Sequence, residues 1–192
     1  MIKYLSFILL CILPELCLAH EVEGNGFMAG IYHPVFGLDH LLAMLAVGIL
    51  STQIGDRAVW LVPSSFVVIM LIAGFVGMEA LVDLSTTQVE MGIVFSVILL
   101  GFVIALDRNM PIIIASLFVA FFAIFHGYAH GVEVPAKANP YYFACGFVIG
   151  TIMIHLAGVL IGLIANRWKT SAVVLRYSGA VMMGIGLQML LA

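Results

Sequence analysis

The sequence predicts an all-α integral membrane protein, a bundle of six transmembrane helices following a cleaved N-terminal signal peptide. Three observations predict it. Of 192 residues, 64% are hydrophobic and only 9% are charged, too little polar surface for a soluble globule. Apolar runs of about 18 to 24 residues recur along the chain, the length that crosses a hydrocarbon core of about 30 Å. Short turns separate these runs, and Arg57, Arg108 and Arg167 sit in the turns.

Residues 1–19 carry Lys3, an apolar core from Leu5 to Leu13, a Pro14-Glu15 break, and the small residues Cys17 and Ala19 ahead of His20. That is the layout of a secretory signal peptide cut after Ala19. The mature chain, residues 20–192, then reads as one six-helix domain that starts outside the membrane. His20 would offer an amine and an imidazole there, beside Glu21 and Glu23, as a weak candidate for collecting a metal. Cys11 and Cys17 belong to the leader, so Cys145 stands alone and no disulfide framework is available. Cys145 reads as a small packing residue.

The first span is predicted over Pro34–Thr52. His33 precedes a proline and is expected to be extended, with Pro34 at the first helical position, where its missing N–H costs nothing. His33, Gly37, His40, Met44, Gly48 and Ser51 then share one helix face, at steps of three or four residues. The remaining spans are predicted over Val59–Leu81, Val89–Leu106, Pro111–His130, Tyr142–Ala165 and Ala172–Ala192. With the mature N-terminus outside, the inner connections hold Arg57, Arg108, Arg167 and Lys169, with Arg176 just inside the last span, whereas the outer loops hold only Lys137. The positive-inside rule thus agrees with the signal peptide, and both mature termini are expected outside.

In that orientation the titratable groups gather at one face. His33 and His40 enter the first span there, Glu79 and Asp83 end the second, Glu90 begins the third, and His126, His130 and Glu133 finish the fourth. His155 is the exception, near the middle of the fifth span on a stripe with Thr151, Gly158 and Gly162. Ionisable groups within spans are expensive and mark ion pathways or functional sites. The spacings Gly146-x-x-x-Gly150, Gly158-x-x-x-Gly162 and Ala180-x-x-x-Gly184 let helices approach closely, within one bundle or in a homo-oligomer.

His126 and His130 lie one turn apart on one helix face, a chelating spacing. Gly131 is positioned to end that helix and turn Glu133 back toward them. Seven residues of helix separate His33 from His40, about 10 Å of rise, so His40 is expected with the fourth-span ligands at an inner site and His33 nearer the mouth. Asp39 is either a ligand or the group that orients a histidine. Imidazole and carboxylate without paired thiolates suit Ni²⁺, Co²⁺ or Zn²⁺ better than Cu⁺. There is no phosphate-binding loop and no nucleophile motif, so the chain reads as no enzyme. The net charge of −3 is scattered and gives no nucleic-acid footprint.

The stretch His33-Pro34-x-x-Gly37-x-Asp39-His40-x-Leu42, together with His126-Gly127-x-Ala129-His130-Gly131-x-Glu133 and a leader before a mature N-terminal histidine, resembles the hydrogenase/urease accessory membrane protein family of HupE/UreJ type. The resemblance covers essentially the whole mature chain. It implies a nickel or cobalt permease of the bacterial cytoplasmic membrane, linked to hydrogenase or urease maturation, with no permanently bound cofactor. It assigns metal-site roles to His33, Asp39, His40, His126, His130 and Glu133, leaving His20, Glu79 and His155 as weaker candidates. Two other classes fit the residues less well: a membrane redox protein with haem held between histidines of different spans, and a non-transporting assembly or sensor protein. The topology has its own test. A reporter enzyme fused after Ala192 should be active only outside the cytoplasm, and cytoplasmic activity would move every outer-face residue to the wrong side.

Overall fold

A computed structural model describes residues 26–107, 110–167 and 169–191 of the chain. The leader and His20 therefore lie outside the described residues. Within those residues the chain is helical and has no strand: α1 (Phe27–Phe36), α2 (Leu38–Ile54), α3 (Ala58–Met78), α4 (Thr86–Leu106), α5 (Ile112–Val132), α6 (Pro140–Ala165) and α7 (Lys169–Leu191). The helices α3, α4, α5, α6 and α7 each carry a stretch long and apolar enough to cross a membrane. The pair α1 and α2 does so only jointly, with an 83° bend between its members, so the protein is multi-pass with five or six crossings.

That bend corrects the predicted first span. His33 is not extended and Pro34 does not start a helix; both lie in the last turns of α1, and the break falls at Gly37, whose backbone is extended. The physical reason is that a proline near the end of a helix removes an N–H and crowds the preceding turn, which makes it as good a terminator as an initiator. Upstream of it, Gly30 sits so close to the Phe143 and Phe147 backbone of α6 that no side chain would fit, and this contact keeps the α1 turns in place. The other predicted spans hold to within a few residues of their ends.

Short turns make successive helices alternate in direction, and two poles result. One, the histidine end, gathers α1, the start of α2 and the ends of α3 and α5. The other, the arginine end, holds the start of α3 with Arg57 at its N-cap, and Arg167 just past α6. α2 runs through the middle, touching α3, α4 and α6, while α3 packs most extensively on α5, and α4 on α7. Met44, Val47, Phe66, Val97 and Val119 form the buried centre. On α5, Ile113, Leu117 and Phe121 point outward, 56 to 74% exposed, opposite the buried face that carries His126 and His130. A perimeter this apolar is a lipid surface. Cys145 is exposed there and not packed inside as expected.

Glycines set the closest contacts. Gly127 and Gly131 of α5 lie against the backbone of Met70 and Gly74 on α3, while Gly158 and Gly162 of α6 lie against Leu45 and Thr52 of α2. At both interfaces residue numbers rise together, so the paired helices are parallel. Gly146 and Gly150 receive α1, which assigns two of the three small-residue spacings to contacts within the chain. The third does not follow, since Gly184 meets nothing within 4 Å. Polar pins close the ends. Tyr128 OH donates to the Val82 carbonyl (2.8 Å) and accepts from Leu84 N–H (3.1 Å), and Gln53 Nε2 donates to the Ile104 carbonyl (3.2 Å). Gly131→Val should therefore lose about 1–3 kcal/mol through overpacking against α3, read as a drop in unfolding temperature in detergent. Gly184→Ala should change it little; equal losses would refute this account of the packing.

Candidate metal centre

The two histidines of α5 owe their positions to the glycines that follow them. In His126-Gly127 and His130-Gly131 the glycine faces α3 at backbone distance, which turns the preceding imidazole inward toward α2. His126 is wholly buried and His130 is 4% exposed. On the other side, the bend at Gly37 folds α1 back over the bundle, so His33 reaches His130 with ring centroids 4.8 Å apart, although α2 carries His40 deeper. His40 stands between the α5 histidines, 4.3 Å from the His130 ring and 4.9 Å from that of His126. The shared helix face expected of His33 and His40 is thus replaced by a folded pair that meets α5 at two depths.

At the mouth, His33 Nε2 and Glu133 Oε2 are 3.1 Å apart and His130 Nδ1 is 3.8 Å from the same oxygen. Among the described residues these three form a group whose donor atoms all lie within 4.8 Å of one another, a span that one divalent ion can bridge. Side-chain exposure falls inward, from 53% at Glu133 and 32% at His33 to 4% at His130. Phe147 walls this trio, its ring 3.9 Å from that of His130.

One layer deeper, each imidazole has one nitrogen engaged and one bare. Asp39 Oδ1 accepts from the His40 backbone N–H (2.8 Å) and faces His40 Nδ1 at 2.8 Å. An ionised carboxylate only accepts, so Nδ1 carries the proton and Nε2 presents a lone pair. Ser96 of α4 donates its one hydroxyl proton to the Ile93 carbonyl (2.6 Å), so its oxygen accepts from His126 Nε2–H (3.0 Å), which leaves Nδ1 as the lone pair. His40 Nε2 and His126 Nδ1 are both buried without a hydrogen-bond partner. Buried polar atoms are nearly always paired, and two bare imidazole lone pairs with their tautomers set from behind are what a metal site presents. The rings are too close for a porphyrin to lie between them, which speaks against the haem alternative.

The same chain matches the model of the HupE / UreJ protein family over residues 8–189. The chain belongs to the HupE/UreJ family. It is 38% identical over 169 residues to Protein HupE of Rhizobium leguminosarum bv. viciae, covering 87% of this chain and 86% of that protein. No solved structure matches.

In this HupE/UreJ chain the structure brings together His33, His130 and Glu133 at the mouth and Asp39, His40 and His126 beneath it. His126 and His130 share their helix face as expected, and His40 packs against both rings. Asp39, left open between two roles, sits behind His40 as its orienting carboxylate. Gly131 does not end α5; the helix continues to Val132, and Glu133 is its C-cap, with its N–H on the Ala129 carbonyl (2.9 Å). Glu79 caps α3, exposed and outside both layers. His155 lies deeper, 2% exposed, against Phe66. Sequence reasoning missed Ser96, whose signal was faint: a lone hydroxyl in the apolar middle of α4. Removing a partner that orients a metal histidine typically costs 10–100-fold in affinity. Ser96→Ala should weaken Co²⁺ binding, read from the visible absorption of the bound ion, by about tenfold. Unchanged affinity would make the Ser96–His126 bond structural glue.

Proposed function

We propose that this chain is a permease for divalent transition-metal ions, nickel first and cobalt next, that moves its cargo into the cytoplasm across the bacterial inner membrane with the histidine end outward. The observation that carries the reading is the pair of bare lone pairs, His40 Nε2 and His126 Nδ1, beneath a more exposed trio of ligands. Arrival at His33 and Glu133 costs the ion little hydration, because both are partly exposed. His130 belongs to the trio and also packs on His40, so ligands exchange one at a time as the ion descends and it is never left bare in the apolar bundle. Neutral imidazoles and a carboxylate suit a borderline ion, and the absence of thiolates among these donors disfavours Cu⁺.

Membership of the HupE/UreJ family supports the same direction, and we take the supply of metal for maturation of a hydrogenase or urease as the role. The chain acts as a conduit and not as an enzyme. The lipid bilayer and the metal ion are its required partners, and a homo-oligomer is compatible with the open face around Gly184. Purified protein in sealed vesicles should take up Ni²⁺ and Co²⁺ saturably, with Zn²⁺ and Cu⁺ as comparisons. His40→Ala and His126→Ala should each abolish saturable uptake while the protein stays in the membrane. Near-normal uptake in both variants, or none in the wild type, would leave an assembly or sensor role in its place.

A further inference from the structure

Beneath His126 one hydrocarbon ring touches two imidazoles. Phe66 of α3, wholly buried, packs 5.5 Å from the His126 ring and 5.2 Å from the His155 ring. Neither nitrogen of His155 has a hydrogen-bond partner, so it is not gluing helices together. One turn away on α6, buried Thr151 donates to Sδ of Met70 at 3.9 Å, and Met70 lies one turn beyond Phe66 on α3. His155, although 2% exposed, borders a cleft. This cleft, of about 270 Å³ between α3 and α6, runs from Val59 and Trp60, in the first turn of α3 at the arginine end, past Ser64 to His155, and its other walls are apolar, with Val68, Ile152 and Leu156 on the outer surface.

A phenyl ring offers an ion neither a σ-donor nor water, and Phe66 touches both imidazoles. The helix that carries it has a weak point nearby. Pro63 lies inside α3 three residues before Phe66, and a proline there deletes one rung of the backbone ladder. Ser65, beside it, spends its hydroxyl on the Val62 carbonyl (2.7 Å) within the same turn. Small changes in bend at this turn would swing the ring.

We propose that His155 is a second metal-binding station, open to the arginine end and separate from the histidine cluster above, and that the Phe66 ring is the movable seal between them. The nature of the cargo rests on the permease reading; the seal itself does not. An ion leaves His126 when Phe66 swings aside, finds the bare imidazole of His155, and departs through the cleft once the ring has closed behind it. Only one compartment is open at a time.

The seal is tested without transport. With Cys11, Cys17 and Cys145 replaced by alanine, His155→Cys should react with a membrane-impermeant thiol reagent from the arginine end and only slowly from the histidine end. Adding Phe66→Ala should raise labelling from the histidine end by about tenfold, the effect of removing a barrier of about 1.4 kcal/mol, while Phe66→Leu should not. Phe66→Val serves if the alanine variant fails to accumulate. Equal labelling from both ends with Phe66 in place, or no change on shortening it, overturns the seal. The station is tested with Ni²⁺ alone by equilibrium dialysis. His155→Ala should bind less metal at saturation while the Co²⁺ absorption of the histidine cluster keeps its affinity; unchanged capacity overturns the station. A wild type that labels asymmetrically yet carries no metal would sink the permease reading and leave the seal standing.

Discussion

A buried imidazole nitrogen without a partner costs about 1–3 kcal/mol, and the centre of this bundle holds several. His40, His126, His130 and His155 each keep at least one buried nitrogen without a hydrogen-bond partner. In a lipid-facing bundle such groups are not solvated from outside, and helix packing alone gives no reason to retain them. The bare lone pairs are the constraint to which the rest of the structure answers. The groups behind the histidines fix which nitrogen is bare, the glycines bring the helices that carry them together, and the apolar rings of Phe66 and Phe147 keep other donors away.

Close backbone approach is the means. The parallel pair α3 and α5 meets at Gly127 and Gly131, and the parallel pair α2 and α6 meets at Gly158 and Gly162. In α5 the residue before each contact glycine, His126 and His130, is buried toward the interior. Van der Waals contact drives association when lipid and side chain are equally apolar, so small residues at the interface both hold the bundle and set the depth of the ligands. Arranging these side chains by helix register and not by loops makes the layers rigid.

The polar groups are divided between poles. Arginines and amides finish the helices at one end, with Gln53 and Asn166 donating to carbonyls at the termini of neighbouring helices. Carboxylates and imidazoles occupy the other, where a negative mouth concentrates cations.

Much of this was legible in the residues themselves. The helical class, the location of most spans and the gathering of His and Glu at one end follow from composition and from the desolvation cost of each group, which are sums over local sequence and need no knowledge of neighbours. The two motifs also announced themselves by spacing. Tertiary structure decided what local sums do not contain. Pro34 carries a signal that fits either end of a helix, and only the packing of Gly30 on α6 made it a terminator, which bent the chain and brought His33 above His130. Gly131 read as a helix stop and proved to be a contact with α3. Ser96 sits outside any motif, and only the register of α4 against α5 shows that it sets the tautomer of His126. Sequence determined which chemical groups enter the membrane; helix register and one bend of 83° determined which of them meet, because contacts between distant residues depend on the geometry of whole helices.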